Sequence, residues 1–212
     1  DPQLRDDPLA AHCSDEQSVQ SFDDLQHKYS RFWENLFPYL RELTDVVASY
    51  DDRIMIFEDY PDGNYGTQEQ YLGFYGVNPD VSMPFNFEGL SAKFSAESFS
   101  TMVNEFQGMI NPDIHTPVYC FSNHDQARIA TRYGGTEQAR LVALMQLTLP
   151  GLPVVYYGDE IGMMNAPIRF DEIQDKSVFS HGNDESVGRD PERTPMQWTG
   201  EKNAGFSQVK PW

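Results

Sequence analysis

Cysteine, positive charge and long apolar runs are all scarce in this chain of 212 residues. Its two cysteines, Cys13 and Cys120, are too few for a disulfide framework and do not have the spacing of a zinc motif, so we expect neither. No stretch approaches the roughly 18 consecutive apolar residues that a membrane-spanning helix needs, and residues 1–7 are charged where a signal peptide is apolar. These absences predict a chain with no membrane partner and a cytoplasmic location.

The shortage of positive charge is marked, because 15 basic side chains stand against 33 acidic ones and give a net charge of −18. A phosphate backbone would be repelled over most of such a surface, which argues against nucleic acid as a partner. A neutral small molecule is a more suitable partner for this acidic surface. With 39% apolar and 13% aromatic residues, the chain can bury one sizeable core, so a single globular domain is the first expectation.

Four short runs rich in β-branched and aromatic residues predict strands. Their last residues recur every 30, 34 and 36 positions, close to the roughly 31 residues of one strand–helix unit in an eight-unit barrel. The predicted strands cover residues 53–57, 81–87, 117–121 and 152–157. Two of them end abruptly in polar side chains, as buried parallel strands do when they carry chemistry at their carboxyl ends.

Apolar residues at spacings of three and four predict three helices, each with its stripe facing the core. Pro38 interrupts the first stripe, which indicates a kink or a second helix start. Ser95 and Thr136 are the expected N-caps of the other two helices. The three stripes are Leu25, Tyr29, Phe32, Leu36, Leu40 and Leu43; Phe99, Met102, Val103, Phe106 and Ile110; and Leu141, Leu144 and Met145. Residues 165–212, dense in Gly, Pro, Asp and Asn, predict a long loop with short helices at most.

Two acids follow predicted strands and could act together. Glu58 comes directly after the first strand, where apolar neighbours would favour a protonated carboxyl group that can donate a proton; Asp59 is a rival for that position. Asp125, with His124 beside it, follows the third strand two units further on, so both acids could face one barrel mouth. Paired carboxylates of this kind cleave glycosidic bonds. The alternatives are a cap or salt bridge for Glu58 and a structural hydrogen bond for the His-Asp pair.

A serine hydrolase is disfavoured, because Ser122 lacks the G-x-S-x-G elbow that would expose a nucleophile. Several longer motifs instead resemble the α-amylase superfamily of glycoside hydrolases, in particular its α-glucosidase and oligo-1,6-glucosidase branch. The motifs are Ile-Phe-Glu at 56–58, Phe-Asn-Phe at 85–87, Ser-Asn-His-Asp-Gln-Ala-Arg at 122–128, and the blocks at 1–8, 153–163, 188–198 and 203–207.

The resemblance implies a TIM (β/α)8 barrel and a role for each matched residue. Glu58 corresponds to the general acid/base on the fifth strand, and Asp125 to the carboxylate on the seventh strand that holds sugar hydroxyls and stabilises the transition state. His124 and Arg189 correspond to contacts with the same sugar, with Arg193 left open in place of Arg189. Arg128 either lines the cleft or pairs with a local acid. No cofactor is implied, and no metal ligand is identified in this chain.

The resemblance also exposes what the 212 residues lack. The family's nucleophile is the aspartate of a Gly-Phe-Arg-x-Asp motif on the fourth strand, and no such motif occurs here. We therefore expect residues 1–212 to be a partial barrel domain, strands five to eight, without the N-terminal half of the barrel or the C-terminal β-domain. The parent would be a retaining enzyme acting on α-gluco-oligosaccharides, and the fragment would be inactive and homodimeric through exposed barrel edges. The alternatives are a transglycosylase, a sucrose- or trehalose-converting relative, or a non-catalytic amylase-like module.

Overall fold

A computed structural model describes residues 3–15, 24–31, 35–59 and 68–211. The chain divides into two compact units. The first unit comprises residues 1–86 and 104–117, and the second comprises residues 87–103 and 118–212. Among the described residues, no helix combines the length and the apolar character needed to cross a bilayer.

Within the described residues, each unit contains one parallel pair of short strands. In the first unit β1 (Met55–Phe57) pairs with β2 (Ser82–Pro84), with Met55 opposite Ser82. In the second unit β3 (Val118–Cys120) pairs with β4 (Leu152–Val154), with Val118 opposite Leu152. All four predicted strands and their parallel direction are therefore confirmed, although each strand is shorter than the apolar run that predicted it.

Seven α-helices lie in the described part of the chain. They are α1 (Leu36–Ala48), α2 (Gln68–Val77), α3 (Glu88–Ser91), α4 (Ala96–Met109), α5 (Ile129–Arg132), α6 (Thr136–Thr148) and α7 (Lys176–Ser180). Residues 165–211 otherwise form loop and short 3₁₀ turns, as predicted. Ser95 is confirmed as the cap of α4, because its Oγ accepts a hydrogen bond from the Ser98 N–H at 3.1 Å.

The first predicted helix is confirmed only in its second half. Helix α1 begins at Leu36 and has Pro38 in its first turn, where proline is tolerated because the N–H groups there lack helical partners. Leu25 is not helical but forms an antiparallel bridge with Leu9, and Tyr29 lies in a turn. Phe32 lies outside the described residues.

The core of the first unit is aromatic. Tyr71 and Tyr75 of α2 are fully buried, and the Tyr71 ring meets Phe106 edge-on at 6.0 Å. Their hydroxyl groups donate to backbone carbonyls, Tyr71 to Phe85 at 3.1 Å and Tyr75 to Thr116 at 3.1 Å. Because these phenols retain hydrogen-bond partners inside the core, their burial carries no polar penalty.

The core of the second unit surrounds β3, whose three residues and Phe121 are all buried. Cys120 is buried, and its Sγ donates to the Ser122 carbonyl at 3.1 Å. From α6, Gln146 donates to the carbonyls of Tyr119 at 3.0 Å and Val154 at 2.7 Å. A single amide thus ties this helix to both strands of the sheet.

The predicted orientation of α6 is wrong. Leu141 and Leu144 are 59% and 62% exposed, while Ala139, Val142 and Gln146 are buried. The 3.6-residue period identified a helix but selected the wrong face, because the buried face carries small residues and one amide. The expected N-cap is also displaced by one residue, since Gly135 is the N-cap and Thr136 begins the helix.

Candidate active site

Strand β3 delivers the candidate site at its carboxyl end. After Cys120 the chain leaves the sheet and turns, and the Asp125 N–H donates to Asn123 Oδ1 at 2.9 Å. An asparagine side chain that accepts from the backbone two residues later holds a tight turn without requiring further residues. This turn presents the side chains of His124 and Asp125 beyond the strand end.

Asp125 is the centre of a cluster of cationic and polar side chains. Its Oδ1 accepts from Arg189 Nη1 at 3.0 Å and from Arg193 Nη2 at 2.5 Å. Its Oδ2 lies 3.4 Å from His124 Nε2. The side chain keeps 30% of its exposure, so this carboxylate is fixed by two guanidinium groups and still open to solvent.

Arg189 is itself held by a second acid, Asp175, which the sequence analysis did not identify. Arg189 Nε donates to Asp175 Oδ2 at 2.7 Å and its Nη2 donates to Oδ1 at 3.2 Å. This two-point contact fixes the plane of the guanidinium group. The hydrogen bonds from Arg189, assisted by those from Ser177, hold the pKa of Asp175 well below its usual range. In turn, the hydrogen bonds to Asp175 and Asp125 raise the pKa of Arg189.

Asp175 is positioned by hydrogen bonds at the start of α7. It is the N-cap of α7, and its side chain accepts from the Ser177 N–H at 3.1 Å. Asp190 Oδ2 in turn accepts from the N–H groups of Gln174 and Asp175 at 2.8 and 2.9 Å. The one sequence signal for Asp175 was its place two residues before Ser177 at a helix start, which predicts a cap and says nothing about Arg189.

Arg193 also reaches the site. Besides its bond to Asp125, its Nε donates to the His124 carbonyl at 2.7 Å. The sequence left open whether Arg189 or Arg193 lies at this position, and the structure brings both to Asp125. They come from opposite ends of the Arg-Asp-Pro-Glu-Arg segment, whose middle residues, Asp190–Glu192, form one 3₁₀ turn.

Arg128 is a structural residue of the second unit. It is completely buried, and it donates to the carbonyls of Tyr157 at 2.6 Å and Glu192 at 2.7 Å. The cleft-lining alternative is wrong, because the guanidinium group has no exposed surface. The group binds backbone carbonyls and also interacts electrostatically with the nearby acids Asp159 and Glu192. Gly158 permits this arrangement, because a Cβ there would lie 2.7 Å from Arg128 Nη1. Arg128 therefore ties the end of β4 to the loop that carries Arg189 and Arg193.

Another buried contact links the ends of β3 and β4. The Ser122 hydroxyl donates to Asp159 Oδ2, which also accepts from the Tyr156 N–H at 3.1 Å. Burial raises the pKa of Asp159, although the bonds from Ser122 and Tyr156 oppose the shift. The Ser122 hydroxyl is thus engaged with an acid.

Glu58 lies in the first unit, apart in sequence from the cluster that the other three predicted site residues form in the second. It follows β1 directly, as expected, and its side chain is exposed. Asp59, its rival, is only 4% exposed. Ile56 of β1, two residues before Glu58, is also exposed. Residues 60–67 lie outside the described part of the chain.

A cavity of about 690 Å³ lies beside the Asp125 cluster and shares Arg193 with it. Its lining is mixed, with Pro167 and Ile168 among the apolar residues and Asp171, Glu172 and Gln174 among the polar ones. This volume is within the usual range for small-molecule sites. Asp125 is not one of its lining residues.

Comparison with known proteins connects this geometry with a family. A model of the alpha-amylase catalytic domain matches residues 8–212. Maltase 1 of Drosophila virilis is 36% identical over 224 residues, covering 98% of this chain and 34% of that protein. Probable oligo-1,6-glucosidase 2 of Bacillus subtilis is 30% identical over 217 residues, covering 84% of this chain and 37% of that protein. The chain thus spans about a third of the length of these curated relatives.

Two solved structures agree with the sequence matches. The alpha-glucosyl transfer enzyme XgtA superposes with a TM-score of 0.79 at 26% identity, covering 100% of this chain and 40% of XgtA. Trehalose-6-phosphate hydrolase of Bacillus licheniformis superposes with a TM-score of 0.65 at 25% identity, covering 84% and 37% of the two chains. The resemblance inferred from the motifs is confirmed.

Proposed function

Because the chain belongs to the α-amylase family of catalytic domains, we propose that it contributes two carboxylates to the active site of a retaining α-glucosidase. The observation that carries this proposal is the cluster around Asp125, where Arg189, Arg193 and His124 surround an acid at the carboxyl end of a parallel strand. In this proposal β1 to β4 are the fifth to eighth strands of a (β/α)8 barrel, and residues 1–212 are part of one catalytic domain.

Each residue then has a distinct task. Glu58 donates its proton to the glycosidic oxygen as the bond to the anomeric carbon breaks, and later removes a proton from the attacking water. Asp125 accepts hydrogen bonds from sugar hydroxyl groups and stabilises positive charge at the anomeric carbon. His124 and Arg189 donate to the same sugar, while Asp175 keeps Arg189 aimed at Asp125. The substrate class is the α-linked gluco-oligosaccharides, and the names of the relatives, a maltase and an oligo-1,6-glucosidase, support it.

The test is the response of Glu58→Gln, in the protein that carries this segment, to two leaving groups. Loss of the acid should lower kcat/KM for maltose by on the order of 100- to 10,000-fold. A dinitrophenyl α-glucoside needs no proton on departure, so formation of the glycosyl-enzyme should be much less affected. Glu42→Gln, an exposed change on α1, is the matched control. Equal losses for both substrates would assign Glu58 a structural role.

The 212 residues alone should not hydrolyse either substrate, because they contain no Gly-Phe-Arg-x-Asp nucleophile motif and the covalent route needs that carboxylate. The measurements are release of dinitrophenol from the dinitrophenyl α-glucoside and of glucose from maltose by the purified chain. Release of glucose from maltose that disappears with Glu58→Gln would contradict this part of the proposal.

A second candidate function is glucosyl transfer, favoured by the match to XgtA, whose description is an alpha-glucosyl transfer enzyme. Both reactions use the same acid/base and differ in whether water or a sugar accepts the glucosyl group. The ratio of transfer product to free glucose at rising maltose concentration separates them, since hydrolysis gives glucose alone.

The homodimer through exposed barrel edges stays a prediction, and exposed apolar residues on α6 give this chain a further surface for self-association. Leu141, Leu144 and Leu147 form an exposed row on α6, and a second copy could cover such a row by two-fold pairing. Light scattering coupled to size exclusion should give twice the monomer mass of 24.3 kDa or more. A single peak at the monomer mass would contradict it.

A further inference from the structure

Three side chains of the first unit converge at a place that the proposed glycosidase chemistry does not use. They are His12, Cys13 and Asp24, and one nitrogen, one sulfur and one oxygen atom from them all lie within 4.8 Å of one another. His12 Nε2 is 2.8 Å from Asp24 Oδ1. We propose that these three residues form a binding site for a transition metal ion, with Zn²⁺ as the best match.

The backbone holds the ligands in place from two separate segments. Leu9 and Leu25 form an antiparallel bridge, and on either side of it the Ala10 N–H donates to the Asp24 carbonyl and the Gln26 N–H to the Pro8 carbonyl, both at 2.8 Å. The bridge therefore sets Asp24 directly against the turn that presents His12 and Cys13. The spacing of the two cysteines could not indicate this site, because only Cys13 belongs to it. The other two ligands are a histidine and an aspartate, and the aspartate comes from another segment of the chain.

That turn is fixed as well. The Cys13 N–H donates to the Ala10 carbonyl at 3.0 Å, which closes a tight turn. On the opposite segment, Gln26 Nε2 donates to the Leu9 carbonyl at 2.6 Å. Ligands that are already held by their backbones lose little freedom when an ion binds, so less of the binding energy is spent on ordering them.

The donor set selects the ion. An imidazole nitrogen, a thiolate and a carboxylate are all ordinary zinc ligands, with bonds of about 2.0–2.3 Å in tetrahedral geometry. Ca²⁺ and Mg²⁺ are disfavoured, because they require several oxygen ligands and only one is offered. A thiolate and a carboxylate also balance the charge of a divalent ion. The fourth position would be taken by water, since the His12 side chain is 62% exposed and leaves an open route for the ion.

The competing explanation is that the His12–Asp24 contact is a simple hydrogen bond and that Cys13 is an accidental neighbour. Cobalt distinguishes the two, because a thiolate bound to Co²⁺ gives an intense near-ultraviolet charge-transfer band that nitrogen and oxygen ligands do not. The reduced 212-residue chain should show this band on titration with Co²⁺, at one ion per chain, and Zn²⁺ should abolish it.

Substitutions assign the band to this site. Cys13→Ser should eliminate it, while Cys120→Ser, the matched control at a buried thiol, should leave it unchanged. His12→Ala and Asp24→Asn should weaken the apparent affinity for Zn²⁺ by at least about 10-fold. The proposal is overturned if the wild-type chain gives no saturable band, if the band survives Cys13→Ser, or if affinity is indifferent to His12 and Asp24. Far-ultraviolet circular dichroism of each variant checks that it is folded. If Cys13→Ser is not, the band in Cys120→Ser still decides the question, because Cys13 is then the one thiol left in the chain.

Discussion

The carboxyl ends of β1 and β3 look alike in sequence and differ in structure. Each strand is an apolar run with an acid beyond its carboxyl end: Glu58 comes directly after β1, and Asp125 lies in the turn that follows β3. Asp125 is bound by two arginines that lie 64 and 68 positions further along the chain, whereas Glu58 is exposed. The position of an acid after a strand predicts that it lies at the carboxyl edge of the sheet. The hydrogen bonds and ion pairs of that acid depend on partners that are distant in sequence.

The strands below the two acids differ in the same way. Around β3, every residue from Val118 to Phe121 is buried, while on β1 Ile56 is 39% exposed. The loop of residues 165–211 contributes to the difference, because it brings the arginines to Asp125 and is fastened to β4 by Arg128. If contacts with that loop stabilise the end of β3, substitution of the residues that make those contacts should lower the free energy of unfolding strongly. Substitution of Glu58 should change it very little.

The largest effect is expected for Arg128→Ala. The change removes donors from the carbonyls of Tyr157 and Glu192 and leaves space in a packed interior, so the free energy of unfolding should fall by about 2–4 kcal/mol. Urea denaturation of the chain measures it. Arg128→Met retains most of the volume and isolates the hydrogen-bonding part of the loss.

The matched control is Arg140→Ala, which removes an arginine whose ion pair with Glu137 is largely exposed. Such surface pairs contribute at most about 0.5 kcal/mol. Comparable losses at positions 128 and 140 would show that the loop is not fastened through Arg128.

A smaller effect, with a definite pH dependence, is expected for Asp175→Asn. The amide preserves an acceptor for the Ser177 N–H but loses the charge that binds Arg189, which should lower the free energy of unfolding by about 1–2 kcal/mol at neutral pH. Because the folded-state pKa of Asp175 lies below its unfolded value of about 3.9, the stabilisation is complete above that value and is lost as the pH falls through the folded pKa. The wild type and the variant should therefore converge below about pH 4, as followed by thermal melting. A difference that stays constant with pH would mean that the charge of Asp175 is not involved.

These partners mark where prediction from sequence succeeded and where it ended. Four strands, the helix cap at Ser95 and the acids beyond the strand ends could be predicted, because each depends on neighbours within a few residues. Asp175 could not be identified as the partner of Arg189, since nothing local distinguishes an N-cap that also binds a guanidinium group. Leu141 and Leu144 were assigned to the core because hydrophobicity alone does not specify which face of a helix meets a sheet; Gln146, a polar residue, marks that face.

Asp159→Asn should show the opposite pH dependence and a smaller size, below about 1 kcal/mol. Burial raises the folded-state pKa of Asp159, so the ionised form is penalised in the folded state as the pH rises from the unfolded value of about 3.9 through the folded pKa. An amide can accept from Ser122 and Tyr156 without that penalty. The variant should gain stability relative to wild type as the pH rises through this window. Asp80→Asn, a substitution at an exposed position, should show no such trend. A trend of equal size in that variant would show that burial of Asp159 is not the cause.

The smallest effect on folding is expected for Glu58→Gln, and it sharpens the comparison between the two strand ends most directly. The side chain is exposed, and a surface substitution of this kind usually changes the free energy of unfolding by less than about 0.5 kcal/mol. Asp59→Asn is the informative neighbour, because Asp59 is buried and its substitution should cost more than that of Glu58. Urea denaturation of both variants beside wild type provides the measurement. If Glu58→Gln proves the more destabilising of the two, Glu58 rather than Asp59 supports the fold at the end of β1. Such a result would also weaken its assignment as the acid/base, because a group engaged in holding the fold is poorly suited to move a proton to a departing sugar.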